Sequence, residues 1–353
     1  EALQVLPQLE AARLSPDLFS YSSILNCYAQ GANATAARAT LSEMRERTLQ
    51  PNVVCFNSAL NAHSRAGDPA GVEGLLQEMH IERVSPNVVS YNCALNVFAK
   101  AAKPAAAAEQ LSQMRALRVE PTLVSYNTVL SAYSSCGDVD DVLDLLQEME
   151  SVRVPPDVVS FNAALHACAA AGEESSTSDD ILAAMAERRV LPNLVSFNTL
   201  LKLCGERGDT DLARKLLKEM PERHITPDII SYNSALHAAS TAGEPEISEG
   251  LCADMVSAGI HLDAPSFHNV ALAYAKAAAW KRSLDLIPKL REAGVEPTDA
   301  SYRIAMLAAV ATNQVPLIKE LLAEVRASPH AGNEDIYRLA LTSLMALDPS
   351  NPK

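Results

Sequence analysis

A proline recurs every 35 residues along this chain, and that recurrence constrains the fold more than any other feature. The anchors are Pro16, Pro51, Pro86, Pro121, Pro156, Pro192, Pro227 and Pro297, spaced by 35 apart from one step of 36 and one of 70. Leu262 stands where the missing anchor would fall, followed by Asp263 as in other copies. Five residues after each anchor comes an aromatic, from Tyr21 and Phe56 to Phe267 and Tyr302, and Tyr337 continues the register. Seven of the nine methionines fill a second column: Met44, Met79, Met114, Met149, Met185, Met220 and Met255. A period of about 20–50 residues marks a stacked repeat array, in which each unit buries its apolar face only against its neighbours.

Each unit is expected to form two helices. Val88, Tyr91, Leu95 and Phe98 keep helical spacing in the first. A break follows, usually Gly then an acid, as in Gly67-Asp68, Gly137-Asp138 and Gly208-Asp209. Gly suits the end of one helix and the acid the start of the next. Val142, Leu145, Leu146 and Met149 then mark the apolar face of a second helix. The single extra residue of the 36-residue unit is expected in a polar turn, Glu173 to Ser178, where an insertion is tolerated. The fold class expected is all-α: a right-handed α-α superhelix, or α-solenoid, of nine helix-turn-helix repeats over residues 18–333. Residues 1–17 read as the second helix of an upstream partial repeat and 334–353 as a C-terminal capping half repeat.

Charge narrows the function. With 29 basic and 43 acidic residues the formal charge is −14, which argues against a protein held to nucleic acid by bulk charge but leaves room for a local groove. No apolar run approaches the length of a membrane span. Seven well-separated cysteines without a C-x-x-C read as buried, reduced thiols. The chain opens on Glu1 with no signal peptide following. No Gly-rich phosphate loop, H-E-x-x-H or recurring Cys/His spacing is present, so neither an enzyme nor a metal or cofactor protein is expected.

Three polar columns and one aliphatic column carry the functional information. Directly after the anchors stand Asp17, Asn52, Asn87, Thr122, Asp157, Asn193, Asp228, Asp263, Thr298 and Asn333, all residues that cap helices, and capping alone could account for them. Asn57, Asn92, Asn127, Asn162, Asn198 and Asn233 sit inside the first helix, where Asn costs up to about 0.7 kcal/mol relative to Ala. Six such costs at one spacing point to a shared external partner; the alternative is an Asn ladder between repeats. One turn later, on the same face, come Asn26, Asn61, Asn96, Ser131, His166, Lys202 and His237. Three residues after the anchors stand Phe19, Val54, Val89, Val124, Val159, Val195 and Ile230, which could equally be first-turn packing.

Pro86-Asn87-Val88-Val89-Ser90-Tyr91-Asn92, the Gly-acid break and Leu145-Leu146-Gln147-Glu148-Met149 resemble the pentatricopeptide repeat family in its plain 35-residue form. The resemblance spans nearly the whole chain. It implies binding of single-stranded RNA, one base per repeat, read by two side chains. The implied pairs are Ser22 with Asn52, Asn57 with Asn87, Asn92 with Thr122, Asn127 with Asp157, Asn162 with Asn193, Asn198 with Asp228, and Asn233 with Asp263. The family's code then implies A-Y-C-U-Y-U-U over units one to seven. Val54, Val89, Val124, Val159, Val195 and Ile230 would pack between successive bases. Arg65, Lys100 and Lys276 stand where the family places a phosphate-contacting Lys; the other six positions are not basic. In the last units His268 and Arg303 replace the helix Asn, Pro265 and Ala300 replace the aliphatic, and Arg338 follows, which fits clamping of backbone or contact with a partner. The resemblance also implies a mitochondrial or chloroplast location, with a transit peptide preceding Glu1. The alternative function is an architectural subunit docking protein partners of a large organellar assembly.

Overall fold

The structure, a computed structural model, describes residues 16–172, 175–283, 287–288, 296–327, 335–338 and 341. Every regular element among them is a helix. The first helices of the units are α1 (Leu18–Gln30), α3 (Val53–Ala66), α5 (Val88–Lys100), α7 (Leu123–Cys136), α9 (Val158–Ala171), α11 (Leu194–Arg207), α13 (Ile229–Ala242), α15 (Ala264–Lys276) and α17 (Asp299–Ala311). The second helices are α2 (Ala34–Glu46), α4 (Pro69–Ile81), α6 (Pro104–Ala116), α8 (Val139–Ser151), α10 (Ser175–Glu187), α12 (Thr210–Glu222), α14 (Pro245–Ser257), α16 (Trp280–Ser283) and α18 (Val315–Ala327). The chain divides into two compact units, Glu1–Leu191 and Pro192–Lys353. Within each, a first helix packs on the next first helix, and the intervening second helix packs on both. Most of the expected half repeats, 1–17 and 334–353, lie outside the described residues.

The two repeating columns make the core. The aromatics from Tyr21 to Tyr302 are buried, and all seven column methionines are 0% exposed. Tyr126 donates its hydroxyl to Glu148 Oε1 at 2.8 Å, and Tyr21 donates to Glu43 Oε1 at 3.0 Å. Burial, helped by the Glu148 carboxylate, pushes the Tyr126 phenol up to about 12.

Two left-handed turns per repeat reverse the chain. Gly67, Gly137, Gly172, Gly208 and Gly243 end first helices at φ between 68° and 75°. At Gly208 a Cβ would lie 3.1 Å from the backbone nitrogen of Ala242 in the next unit, so glycine also permits close stacking there. Ala32, Ala102, Ala278 and Asn313 hold the equivalent turn at φ 51° to 58°. The second helices close differently. Thr48, Arg83, Arg118, Arg153, Arg189, His224 and Gly259 take positive φ, and the next residue donates its N–H to the carbonyl of the column Met, as in Val84 to Met79 at 2.8 Å. This is the Schellman closure, with an aliphatic following the left-handed residue. Only one of the seven positions is glycine.

Two expectations need correction. Ser175 to Ser178 form the first turn of α10 rather than a polar turn. Met185 keeps the same distance from its helix start as Met79 does, so the extra residue falls at 173–174, outside the described residues. None of the seven thiols is in a disulfide, but Cys27 and Cys136 are exposed and only Cys55, Cys168 and Cys204 are buried. Both exposed thiols lie near the ends of first helices, where the repeat needs no apolar residue.

Candidate nucleic-acid interface

The loop column stands at the N-cap of every first helix whose start is described. Asp157 Oδ1 accepts from the backbone N–H of Val159 and of Ser160 at 3.0 Å each, while the Asp157 N–H donates to Ser160 Oγ at 3.1 Å. The same box recurs at Asn87 with Ser90, Asn193 with Ser196, Asp228 with Ser231, Asp263 with Ser266 and Thr298 with Ser301. Thr122 donates its N–H to Ser125 Oγ at 3.1 Å. Each of these serines is buried.

Asn127 Nδ2 donates to Asp157 Oδ1 at 3.1 Å, Asn57 to Asn87 and Asn198 to Asp228 at 3.2 Å, and Asn233 to Asp263 Oδ1 at 3.1 Å. The serine of the following cap donates to the helix amide in return. Ser90 Oγ to Asn57 Oδ1, Ser160 to Asn127 and Ser231 to Asn198 are each 2.6 Å; Ser125 to Asn92 and Ser266 to Asn233 are each 2.7 Å. Helix amide, loop residue and capping serine thus form one network at Asn57, Asn127, Asn198 and Asn233, tying each of these repeats to the one that follows it. The propensity cost of the helix Asn is offset inside the protein, so that cost is not evidence for an external partner. The next polar column bonds backwards as well: Asn96 Nδ2 to Ser64 Oγ at 3.2 Å, and His166 Nδ1 with Ser134 Oγ at 2.9 Å. Ser22 departs from the pattern, donating to the Phe19 carbonyl of its own helix at 2.9 Å.

The network leaves the amides of Asn57, Asn127 and Asn198 half used. An amide offers two donors and two lone pairs; on these three, one of each is engaged, and one N–H and one lone pair stay available. On Asp157 and Asp228, Oδ2 takes no hydrogen bond among the described residues. Partial burial pushes the Asp157 and Asp228 carboxyls up, but hydrogen bonds from Ser160 and Asn127, and from Ser231 and Asn198, outweigh it and hold both below the usual range. Asp263 behaves alike, with Ser266 and Asn233 as donors. A carboxylate lowered from its unfolded value of about 3.9 stabilises the fold fully above that pH. Its contribution vanishes as pH falls through the lowered value. Changing Asp157, Asp228 and Asp263 together to Asn should therefore flatten the fall of the thermal midpoint below about pH 4, measured by circular dichroism from pH 5 to 2. A slope equal to that of the wild type would contradict this.

The aliphatic column is not core. Val54, Val89 and Val159 are 53% exposed and Phe19 is 77% exposed, while Val124, Val195 and Ile230 fall between them. These apolar side chains face solvent beside the amides. Asn96, Lys100, Val124, Asn127 and Ser131 line one open cavity of about 670 Å³ between α5 and α7, within the range of about 300–1,000 Å³ usual for ligand sites. Arg65 and Lys100 are exposed and make no ion pair among the described residues. Lys276 is partly committed, donating to the Thr241 carbonyl at 2.9 Å. In the last units Arg303 and Arg338 are exposed. His268 is half-buried with Nδ1 unsatisfied; burial first, then the charge of Arg303 and of His237, keeps its imidazole below the usual range.

Fold and surface together define a tandem helical-repeat protein with a periodic polar groove. The family model described as pentatricopeptide repeat domain matches residues 2–69 and 74–136, and the PPR repeat family model matches 121–170 and 192–241. More than half of the sequence is covered, and the chain belongs to the pentatricopeptide repeat family. The crystal structure of the pentatricopeptide repeat protein PPR10 from maize superposes with a TM-score of 0.79 at 22% identity, over 95% of this chain and 47% of that chain. PPR10 in complex with an 18-nt psaJ RNA element gives 0.72 at 21% identity, over 95% of this chain and 48% of that one. The chain thus spans about half the length of the solved chains it matches, and at this identity the likeness shows the α-solenoid fold. A search of curated proteins gives no significant match.

Proposed function

We propose that this chain binds single-stranded RNA along the groove of its first helices, one base per repeat over units one to seven. The carrying observation is the cavity at α5 and α7, where a half-used amide (Asn127), an exposed aliphatic (Val124) and an unpaired cation (Lys100) meet. These are the three contacts a nucleotide needs: a hydrogen-bonding edge, an apolar face for the base and a positive charge for the phosphate. The RNA-bound state of PPR10, a relative by fold, supports the same ligand class.

The free Oδ2 of Asp157 and Asp228 sharpens the preference. It accepts only, and uracil presents an imide N–H where cytosine presents a lone pair. Facing cytosine, two acceptors would oppose each other at a cost of about 1–3 kcal/mol. This physical argument agrees with the family code, which assigns Asn with Asp to U and the whole array to A-Y-C-U-Y-U-U. Arg303 and Arg338 would hold backbone beyond the read segment. The array would comprise nine units over 18–333, flanked by partial repeats at 1–17 and 334–353, act without catalysis, and serve organellar RNA processing, stability or translation.

Changing Val89 and Val124 to Ser separates base packing from folding. Both side chains are more than half exposed, so stability should change by less than about 0.5 kcal/mol per site. RNA affinity should fall about fivefold per site, the worth of about 1 kcal/mol of lost apolar burial. Fluorescence anisotropy with a labelled 18-nucleotide RNA measures it; unchanged affinity would remove the aliphatic column from the interface.

A further inference from the structure

The closing turns of the second helices carry a feature that the groove does not use. Arg83, Arg118, Arg153 and Arg189 stand at successive repeats of the first compact unit, each exposed and each left-handed at φ between 57° and 60°. An L-residue with a Cβ is disfavoured there, and the same turn is made by Gly259 and Thr48, so the closure does not need arginine. None of the four makes an ion pair among the described residues. The arginines on or directly after the second helices do: Arg45 meets Glu78 at 2.9 Å, Arg115 meets Glu148 at 2.5 Å, and Arg38 and Arg188 bond Glu78 and Glu150. In a chain of net charge −14, four consecutive repeats thus present one unneutralised cation each. Within two residues of each arginine stands an exposed aliphatic: Ile81 at 79%, Leu117 at 50%, Val152 at 44% and Leu191 at 80%.

We infer that this edge is a docking surface for an acidic amphipathic α-helix of a protein partner. Charge complementarity sets the sign, and spacing sets the form. First helices stack directly on first helices, so the repeat step is one helix-packing distance, about 8–10 Å. Acidic residues seven apart on one face of an α-helix lie about 10.5 Å apart, close to the step between arginines, with aliphatics between them meeting Ile81, Leu117 and Val152. RNA fits this edge less well. Phosphates make no use of exposed aliphatics, and none of the four turns carries an aromatic on which a base could stack. The edge is also remote from the groove's cations. Arg83 lies four residues before Asn87, at the start of α5, whereas Lys100 lies at its far end, about 20 Å along a 13-residue helix.

The test uses the full chain and a 28-residue helical peptide with Glu every seventh residue and Leu flanking it. The variant replaces Arg83, Arg118, Arg153 and Arg189 by Gly, which the left-handed turns accept, so its thermal midpoint should hold or rise. A second variant with Gln at the four sites keeps the side-chain length. Peptide binding should fall at least tenfold in both variants and also when Ile81, Leu117 and Val152 become Ser. Affinity for the 18-nucleotide RNA should stay within about threefold. The inference is overturned if the peptide does not bind the wild type, if the variants bind it equally well, or if the arginine substitutions abolish binding of RNA or of phosphatidylserine vesicles while sparing the peptide.

Discussion

Changing Asn127, Asn198 and Asn233 together to Ala is expected to abolish retention of single-stranded RNA, a loss on the order of 100-fold or more if each amide contributes about 1–3 kcal/mol at its base edge. The same change removes Nδ2 donation to Asp157, Asp228 and Asp263 and frees the hydroxyls of Ser160, Ser231 and Ser266 from their acceptors. Each lost hydrogen bond costs about 0.5–1.5 kcal/mol, while Ala in a helix returns up to about 0.7 kcal/mol. With two bonds lost per site, the net loss of stability should be about 0.3–2.3 kcal/mol per site, and the helical circular dichroism should persist at 25 °C. Two measurements therefore separate the roles of these amides. Lost RNA binding with a lowered thermal midpoint but retained helical structure is expected. A drop in midpoint with full RNA binding would leave the amides as inter-repeat ties alone.

Phe56 to Ala should be among the most destabilising single changes in the first compact unit. The ring is 0% exposed, with Leu60, Met79 and Leu75 equally buried nearby in sequence and in the helix that packs on it. Emptying such a site costs about 3–5 kcal/mol, as lost transfer energy plus a cavity. In a linear array each repeat leans on its neighbours, so the loss should appear as early melting of one segment. Urea denaturation followed by hydrogen exchange would show α3 and α4 losing protection before α13 and α14. A single uniform transition with unchanged midpoint would contradict the assignment of the aromatic column as core.

The fold was legible because its evidence repeats. A buried Met at 0% exposure in each of seven units leaves the same mark in the sequence seven times, and the prolines fix where each unit starts. What was not legible depends on partners distant in sequence. Ser90, Ser160 and Ser231 look like ordinary helix residues until the preceding repeat places Asn57, Asn127 and Asn198 against them. A serine three residues after each capping Asn or Asp was the available signal, since that spacing permits a capping box. The helix Asn column stands out in the sequence, where its cost fits an outside ligand or a ladder between repeats; the neighbouring repeat offsets it through the loop residue and the capping serine. The aliphatic column could not be separated from packing by spacing alone; its exposure separates it. The arginines of the closing turns were missed because glycine is the residue expected at a left-handed helix end. The start of α10 was misplaced because Ser and Thr suit both turns and first helical turns.

Sequence selection from a random pool of single-stranded RNA, at fixed salt, tests the central claim most directly. Salt must be stated because every phosphate contact adds to the salt dependence of the affinity. Enrichment of A-Y-C-U-Y-U-U, read 5′ to 3′ along units one to seven, with U firmest opposite Asp157 and Asp228, is the predicted result. A purine-rich consensus, or a pool that binds without enriching any sequence, would contradict it.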